Sequence, residues 1–345
     1  MSGAGGAVTA FGPGRVNLIG EHTDYNGGLA LPFAIREGVT VTATPLDGSE
    51  LHAVATDLGE EDRFALDGPA RAGGWRAFVR GVVAELHAEG LPVSPARLEI
   101  AGTVPQGSGL SSSAALEVAL CLALLGPAGS DVDRVRLARL CSRVENDWVG
   151  AQTGLLDQLA SLLGHPEQAM LIDFATVTVE PVPLRLGDWT LVTVDSGERH
   201  ANASGGYNER RAECRDAAAR LGVEHLAAAD AEAAAALPDV LARRTRHVLE
   251  EDARVRAAVA ALHDGDLERL AALLDASHAS LRDLYDASTP AVEQTVRALR
   301  EAGAAGARMM GGGFGGHVLG LLPAGVAPPA GAGVVEPGPG ARLLG

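Results

Sequence analysis

Residues 105–117 combine glycines and hydroxyl side chains in a pattern that suits phosphate binding. A Gly-x-Gly-Leu run is followed by three consecutive serines, and the apolar stretch after them predicts a helix through Leu125. Glycine lets the backbone turn its N–H groups towards a ligand, and the free amides and dipole at a helix N-terminus favour an anion. A serine N-cap behind a flexible loop is the simpler alternative. Because three serines exceed what capping requires, the pattern favours phosphate binding.

Residues 14–28 form a second group, in which polar side chains follow a short apolar run. Glu21, His22 and Asp24 bring carboxylate and imidazole groups close together. Such groups suit a polyhydroxylated ligand such as a sugar. A metal site and ordinary turn chemistry are the alternatives, although the spacing matches no standard zinc pattern. The segment therefore indicates a binding site whose ligand its residues alone leave open.

The charge and the basic residues exclude several kinds of protein. The chain has 345 residues and a formal net charge of −16. Neither a nucleic acid nor an anionic membrane surface is an expected partner, because each needs a basic footprint. No lysine occurs, and all 28 basic residues are arginine. Since a Walker A loop, a protein-kinase strand lysine and a Schiff base all need lysine, any phosphate must be bound by another device.

The cysteines and the first residues predict a reduced, cytoplasmic protein. Cys121, Cys141 and Cys214 are odd in number and far apart, so buried free thiols are expected. No apolar run reaches the roughly 18 residues of a membrane span, and residues 1–10 lack the features of a signal peptide. We expect a cytoplasmic monomer.

The hydrophobic pattern and the length predict an α+β protein of two domains. Short strands at 39–43 and 97–100 flank an amphipathic helix at 75–89. The other predicted elements are helices at 132–149 and 290–302, strands at 169–174, 190–194, 307–310 and 317–322, and a helical scaffold over 207–284. The glycine cluster 311–316 predicts a tight turn, and the tail from Pro323 is expected to be partly loose.

Three motifs together resemble those of one enzyme family. Residues 14–28 closely resemble the galactokinase signature, and residues 105–115 resemble the ATP loop of the wider galactokinase, homoserine, mevalonate and phosphomevalonate kinase group. Residues 311–316 look like the C-terminal glycine motif of that group, and the three motifs occur in the expected order. The resemblance continues through residues 154–158, 207–211 and 277–282. Only the first motif is specific to galactokinases and close relatives.

The resemblance implies a fold, a reaction and its ligands. Residues 1–180 are expected to resemble the ribosomal protein S5 domain 2-like fold and residues 181–345 a ferredoxin-like one, with the active site between them. The implied reaction is ATP-dependent phosphorylation of the anomeric hydroxyl of D-galactose, so a small-molecule sugar and ATP are the expected partners and Mg²⁺ the expected cofactor. The implied ATP-binding residues are Gly107, Ser108, Gly109, Leu110, Ser111, Ser112 and Ser113.

The resemblance also implies chemical roles. Asp157 falls at the position of the catalytic base, where a carboxylate would accept the proton of the attacking hydroxyl. Arg15 accompanies it and would keep the aspartate ionised; a purely structural ion pair is the alternative. The implied Mg²⁺ ligands are Ser113 and Glu145, which offer the oxygen atoms that this cation prefers. The implied sugar-binding residues are Glu21, His22, Thr23, Asp24, Gly154 and Tyr207.

Some features of the chain bear on which member of the family it resembles. Thr153 and His317 stand where the family commonly has cysteine. A kinase for N-acetylgalactosamine or for another hexose or pentose is the first alternative, and a non-catalytic sugar-sensing relative is the second. A generic nucleotide-binding module would not account for the first motif. Because Asp157, Glu145 and Ser113 are all present, catalysis is the expectation.

Overall fold

Residues 6–104, 109–126, 132–199 and 203–344 are described by a computed structural model. Strands of its first half are β1 (Val8–Asn17), β2 (Leu29–Ala30), β3 (Pro32–Pro45), β4 (Glu50–Ala55), β5 (Glu60–Ala65), β6 (Ala96–Gly102), β7 (Gln168–Asp173) and β8 (Thr178–Pro183). Helices of this half are α1 (Trp75–Ala88), α2 (Ser112–Leu125), α3 (Arg134–Arg143) and α4 (Leu156–Leu163).

The second half is richer in helix. Its helices are α5 (Ala203–Leu221), α6 (Ala231–Ala235), α7 (Asp239–Asp264), α8 (Leu267–Asp283) and α9 (Pro290–Glu301). Its strands are β9 (Thr190–Arg199), β10 (Gly306–Met309), β11 (Gly315–Leu322), β12 (Gly333–Val334) and β13 (Arg342–Leu344). Short 3₁₀ turns lie at Asp24–Asn26 and Leu226–Ala228. The predicted α+β class is confirmed, and the predicted helical region 207–284 consists of packed helices.

The described strands form three sheets. The six-stranded sheet has the order β13-β1-β3-β6-β4-β5, and β4 and β6 are its parallel pair. The other two sheets are β10-β11-β9-β12 and β2-β7-β8. Because β13 pairs with β1, the end of the chain joins the sheet of the first half, although the predicted division at residue 180 placed it in the second. The tail that was expected to be partly loose contains β12 and β13 and buries Val335 and Ala341.

The cores connect the two halves of the molecule. Helix α2 is apolar on almost every face, so it is buried between the six-stranded sheet and α1, α3 and α4. A second core mixes residues from both halves, such as Leu18 and Phe33 with Val255, Leu270 and Leu319. Segments on either side of this shared core are therefore held in a definite relative position, which a site between the halves requires.

One predicted helix has a different geometry from the one expected. The prediction of a helix over 132–149 is correct for α3, but residues Val144–Val149 form a π-helical turn. The Gly150 N–H donates to the Glu145 carbonyl at 2.9 Å, five residues back. Such single π turns are frequent at functional sites, and Glu145 lies within this one.

Two further expectations can be compared with the described residues. Cys121, Cys141 and Cys214 are buried free thiols, as predicted. No helix among the described residues is both long enough and apolar enough to cross a bilayer.

Candidate active site

Asp157 and Arg15 form an ion pair where three elements meet. Asp157 lies in the first turn of α4, and Arg15 lies in β1. The Arg15 Nε donates to Asp157 Oδ1 at 2.7 Å, and its Nη1 donates to the Gly109 carbonyl at 2.6 Å. The Ser111 hydroxyl donates to the other carboxylate oxygen of Asp157. One carboxylate is thus held from β1 and from the segment that leads into α2.

A small polar cavity of about 160 Å³ opens beside this pair. It is bordered by the segment between β1 and β2, the start of α4, α5 and the glycine turn between β10 and β11. Asp157 and Arg15 line the cavity. The predicted sugar-binding residues that also line it are Glu21, His22, Asp24, Gly154 and Tyr207. Folding therefore brings together residues that are far apart in the chain.

Glu21 lies in the cavity wall with both carboxylate oxygens engaged. Oε1 accepts a hydrogen bond from the Gly311 N–H at 2.8 Å and lies 3.3 Å from Arg308 Nη2. Oε2 accepts from the Asn17 side-chain amide at 2.7 Å. Burial raises the pKa of Glu21, while Arg308 and Arg15 act in the opposite direction. The glycine turn therefore contacts the first motif directly through Gly311.

His22 borders the cavity, but both of its ring nitrogens have partners within the protein. Nε2 lies 3.1 Å from the Gly312 carbonyl oxygen, and Nδ1 lies 2.7 Å from the Tyr25 hydroxyl. Because a carbonyl can only accept, the proton belongs on Nε2 and Nδ1 accepts from the tyrosine. Burial, with a further contribution from His247, lowers the pKa of His22 to about 3, so the ring is neutral. In this arrangement both ring nitrogens are engaged by the protein and the ring supplies a wall of the cavity, so the binding of a sugar hydroxyl by His22 stays a prediction.

Thr23, which was also predicted to bind the sugar, lies behind the cavity rather than in its described lining. Its side chain is fully buried, and its hydroxyl lies 2.9 Å from the Gly20 carbonyl and 2.8 Å from the Leu29 carbonyl. The hydroxyl ties together the two ends of the segment that carries Glu21 and Asp24.

Asp24 and Gly154 approach each other closely across the cavity. A Cβ atom on Gly154 would lie 2.0 Å from Asp24 Oδ2, so only glycine leaves room for the carboxylate. Burial, with a further contribution from the nearby Asp157, raises the pKa of Asp24 to about 7. The Tyr207 ring, which α5 contributes, lies 5.2 Å from the His22 ring between centroids. The cavity therefore offers a titratable carboxyl group beside an aromatic wall.

Ser113 and Glu145, the implied Mg²⁺ ligands, lie next to each other. The Ser113 hydroxyl donates to Glu145 Oε1 at 2.6 Å. Thr153 and Gln158 donate to Oε2 at 2.7 and 2.9 Å. Burial raises the pKa of Glu145, and Asp157 adds to the effect. The described residues contain no group of three or more His, Cys, Asp or Glu side chains able to hold a metal.

The Ser113–Glu145 pair nevertheless fits the demands of Mg²⁺. The pair offers one hydroxyl and one carboxylate, both hard oxygen ligands. This cation often takes only one or two protein ligands and completes its octahedron with phosphate and water oxygens. Two adjacent oxygen ligands, one at the start of α2 and one in the π turn, are therefore compatible with a metal that accompanies a nucleotide.

A larger cavity of about 680 Å³ borders the start of α2. Ser112 and Ser113 belong to its lining. Its apolar lining, which the sequence analysis did not single out, includes Val39, Trp75, Phe78, Ile100 and Leu116. A cavity that combines apolar walls with the N-terminus of a helix suits a flat, partly apolar group with attached phosphates.

The remaining residues of the predicted phosphate loop have different surroundings. Leu110 is buried in the shared core, and its carbonyl accepts the Arg15 N–H at 3.0 Å. Gly109 and Ser111 contact the Asp157–Arg15 pair. The predictions for Gly107 and Ser108 lie outside the described residues.

Arg308 is a site residue that the sequence analysis missed. Its side chain is fully buried, and Nη1 donates to the carbonyls of Asn17 and Leu18 at 3.1 and 3.0 Å. It also approaches Glu21. The available signal was a charged residue within an apolar strand, because such a residue needs buried partners.

Comparison with protein-family models supports the same conclusion as the motifs. The model described as the galactokinase galactose-binding signature matches residues 3–45. The models described as GHMP kinases N terminal domain and GHMP kinases C terminal match residues 77–165 and 258–334. The three matches fall in both halves of the molecule.

Individual proteins are similar over nearly the whole chain. A galactokinase of Mycobacterium tuberculosis H37Rv is 46% identical over 324 residues, covering 92% of this chain and 89% of the relative. A galactokinase of Thermotoga neapolitana is 38% identical over 308 residues, covering 89% and 87%. The crystal structure of Lactococcus lactis galactokinase complexed with galactose superposes with a TM-score of 0.91 at 33% identity and covers 99% of this chain and 96% of that one. Mevalonate kinase of Methanococcus jannaschii, at 18% identity and a TM-score of 0.67, shares the fold.

Proposed function

The chain belongs to the galactokinase family of the GHMP kinases, and we propose that it transfers the γ-phosphoryl group of ATP to the anomeric hydroxyl of D-galactose. The products would be galactose 1-phosphate and ADP. One observation carries the proposal: the Asp157 carboxylate lines the small polar cavity and is held by Ser111, at the start of the helix that borders the larger cavity. A sugar and a nucleotide bound in the two cavities would meet at this carboxylate.

Asp157 would act as the general base. One carboxylate oxygen accepts the proton of the anomeric hydroxyl as that oxygen forms its bond to the γ-phosphorus. The bond between the γ-phosphorus and the β,γ-bridging oxygen breaks, and ADP leaves with the electron pair. Arg15, whose Nε lies 2.7 Å from Asp157 Oδ1, would orient the carboxylate and offset charge on the transferring group. Catalysis of this kind depends mainly on positioning and electrostatics.

The small cavity would bind the sugar. Asp24 and Tyr207 offer groups that can accept or donate hydrogen bonds, and Glu21 borders the same space. The nearby rings of His22 and Tyr207 supply apolar surface of the kind that packs on sugar C–H groups. A directional polar set with a limited apolar wall favours a hexose over a branched aliphatic acid such as mevalonate.

The larger cavity would bind ATP without any lysine. The nucleobase would lie among the apolar side chains, and the phosphates would lie at the start of α2, where backbone N–H groups and the helix dipole favour anions. Ser113 and Glu145 would hold Mg²⁺, which when bound neutralises negative charge on the phosphates.

A direct test is ADP release by the purified protein with Mg·ATP, using galactose, N-acetylgalactosamine, glucose, arabinose and mevalonate as acceptors. We expect saturable turnover with galactose and a product whose anomeric proton couples to phosphorus in the NMR spectrum. Preferred turnover of another sugar would keep the reaction and replace the substrate. Sugar binding by calorimetry with no turnover on any acceptor would contradict the kinase proposal and favour a sugar sensor.

A further inference from the structure

Helix α7 contacts the backbone of the sugar-site segment at three points. The segment comprises residues 20–29, which carry Glu21 and Asp24, and α7 belongs to the second half of the molecule. The contacting side chains are His247, Glu251 and Asp252. His247 and Glu251 are four residues apart, so they lie on one face of the helix, with Asp252 adjacent.

Glu251 makes a fully buried contact with the start of the segment. Its side chain is fully buried, and Oε1 accepts the Gly20 N–H at 3.0 Å and the Ser277 hydroxyl at 2.6 Å. Oε2 is paired with Arg254 at 2.6 Å. A buried carboxylate is costly unless its oxygens are satisfied, and here its partners include a backbone amide of the sugar-site segment. Glu251 thereby ties residue 20 to α7.

Asp252 holds the other end of the segment. Its Oδ1 accepts the Leu29 N–H at 2.7 Å. A Cβ atom on Gly28 would lie 2.5 Å from the same oxygen, so the absence of a side chain there permits the approach. This glycine of the first motif is thus explained by a partner in the distant helix.

His247 makes the middle one of the three contacts, which together are called the clamp. Its Nε2 lies 3.1 Å from the carbonyl oxygen of Glu21, and its Nδ1 lies 2.8 Å from the Ser280 hydroxyl. Because the Glu21 carbonyl can only accept, Nε2 carries the proton and Nδ1 accepts from the serine. The backbone of Glu21, a residue predicted to bind the sugar, is therefore oriented by a fully buried, neutral imidazole.

We propose that His247, Glu251 and Asp252 are positioning residues that set the affinity of the small cavity for sugar and leave nucleotide affinity unchanged. The proposal rests on the proposed function, because the ligand of that cavity is taken to be the sugar. No residue of α7 belongs to the described lining of the larger cavity. The described partners of the Asp157 carboxylate come from β1 and the start of α2, so the proposed base is held independently of this clamp.

The decisive experiment compares two substitutions at Asp252. Asp252→Ala removes the acceptor for the Leu29 N–H and should raise the KM for galactose by about tenfold, with kcat and the KM for ATP little changed. Asp252→Asn keeps an oxygen acceptor and should restore a near-normal KM. Asp264→Ala, at the exposed end of the same helix, is the matched control. A KM for ATP that rises in parallel, or an Asn variant as impaired as the Ala variant, would overturn the proposal.

Amide hydrogen exchange, measured without any sugar, separates this proposal from the proposed function. Leu29 should exchange faster in Asp252→Ala than in the wild type, while amides of α2 remain as protected as before. Unchanged protection of Leu29 would overturn the clamp, whatever the substrate proves to be. Glu251→Ala, which removes the acceptor, should likewise speed exchange at Gly20; Glu250→Ala, which alters a more exposed neighbour, is its control.

Discussion

The two cavities of the active site are assembled in different ways. Among the described residues, the larger cavity is lined only by the first half of the chain, from Val39 to Leu116. The small cavity combines Glu21 and Gly154 of the first half with Tyr207 of the second. Its polar groups are held by Arg308, by the glycine turn and by α7, all contributed by the second half.

The two cavities also border different hydrophobic cores. The larger cavity borders a core that belongs mainly to one sheet and its helices, whereas the small cavity depends on contacts between the halves. If the larger cavity binds the nucleotide and the small one the sugar, as proposed, substitutions should weaken the two binding steps separately. Asp157 is expected to be the exception, because it lines the small cavity and accepts a hydrogen bond from Ser111, beside the helix that borders the larger one.

Asp157→Asn should produce the largest effect, since it removes the proposed catalytic base. We expect kcat to fall by about 10³-fold, with sugar and ATP still bound, because the side chain is nearly isosteric. Steady-state kinetics together with calorimetry would measure this, and Asp188→Asn, at an exposed turn, is the control. Near-normal turnover would remove Asp157 from the role of base.

Gly154→Ala should damage the small cavity alone. The added methyl group would lie 2.0 Å from Asp24 Oδ2 and must displace that carboxylate. We expect the KM for galactose to rise by about 100-fold while the KM for ATP changes little, on the scale of steric insertion at a packed site. Gly73→Ala, where a methyl group meets open space, is the matched control. Equal losses for both substrates would contradict the separation of the two cavities.

Ser113→Ala tests the nucleotide side. The substitution removes the hydroxyl that lies 2.6 Å from Glu145 and is proposed to hold Mg²⁺. The KM for Mg·ATP should rise by about tenfold, the typical effect of losing one polar ligand, with the KM for galactose unchanged. Ser49→Ala is an exposed control. If the galactose KM shifted instead, the serine would belong to the sugar side.

Asp24 should make sugar binding depend on pH, and this is the smallest expected effect. Burial, with a contribution from Asp157, raises its pKa to about 7, so lowering the pH through neutrality protonates a carboxylate that would accept a sugar hydroxyl. The Kd for galactose should therefore increase several-fold between about pH 8 and about pH 6. Calorimetry across this range should show the slope in the wild type and a flatter profile in Asp24→Asn. An identical slope in both would assign the titration to another group.

Much of this architecture could be predicted from the sequence. The three motifs identified the family, which the comparisons confirm. The predicted strands and helices around residues 75–89, 97–100 and 290–302 agree with the observed elements to within a few residues. Local periodicity and capping suffice for such elements; Thr289, for example, caps α9 ahead of Pro290.

Other features could not be predicted, because they depend on distant partners. The periodic pattern over 132–149 does not distinguish an α-helix from the π turn that carries Glu145. The pattern over 207–284 predicts a helical scaffold and gives no sign of a site contact, yet Glu251 from that region is fully buried beside Gly20. Residue type alone does not reveal which carboxylates on a long helix face another segment.

The sequence by itself determined the family and the α+β class and singled out the small set of residues proposed for phosphoryl transfer, since these depend on residue type and local spacing. Only the tertiary structure decided what those residues contact. It engaged both nitrogens of His22, buried the Thr23 hydroxyl and placed Arg308 and α7 behind the sugar-site segment. The physical reason is that hydrogen-bond partners and burial are properties of the packed chain, and packing between distant segments leaves little signature in local sequence.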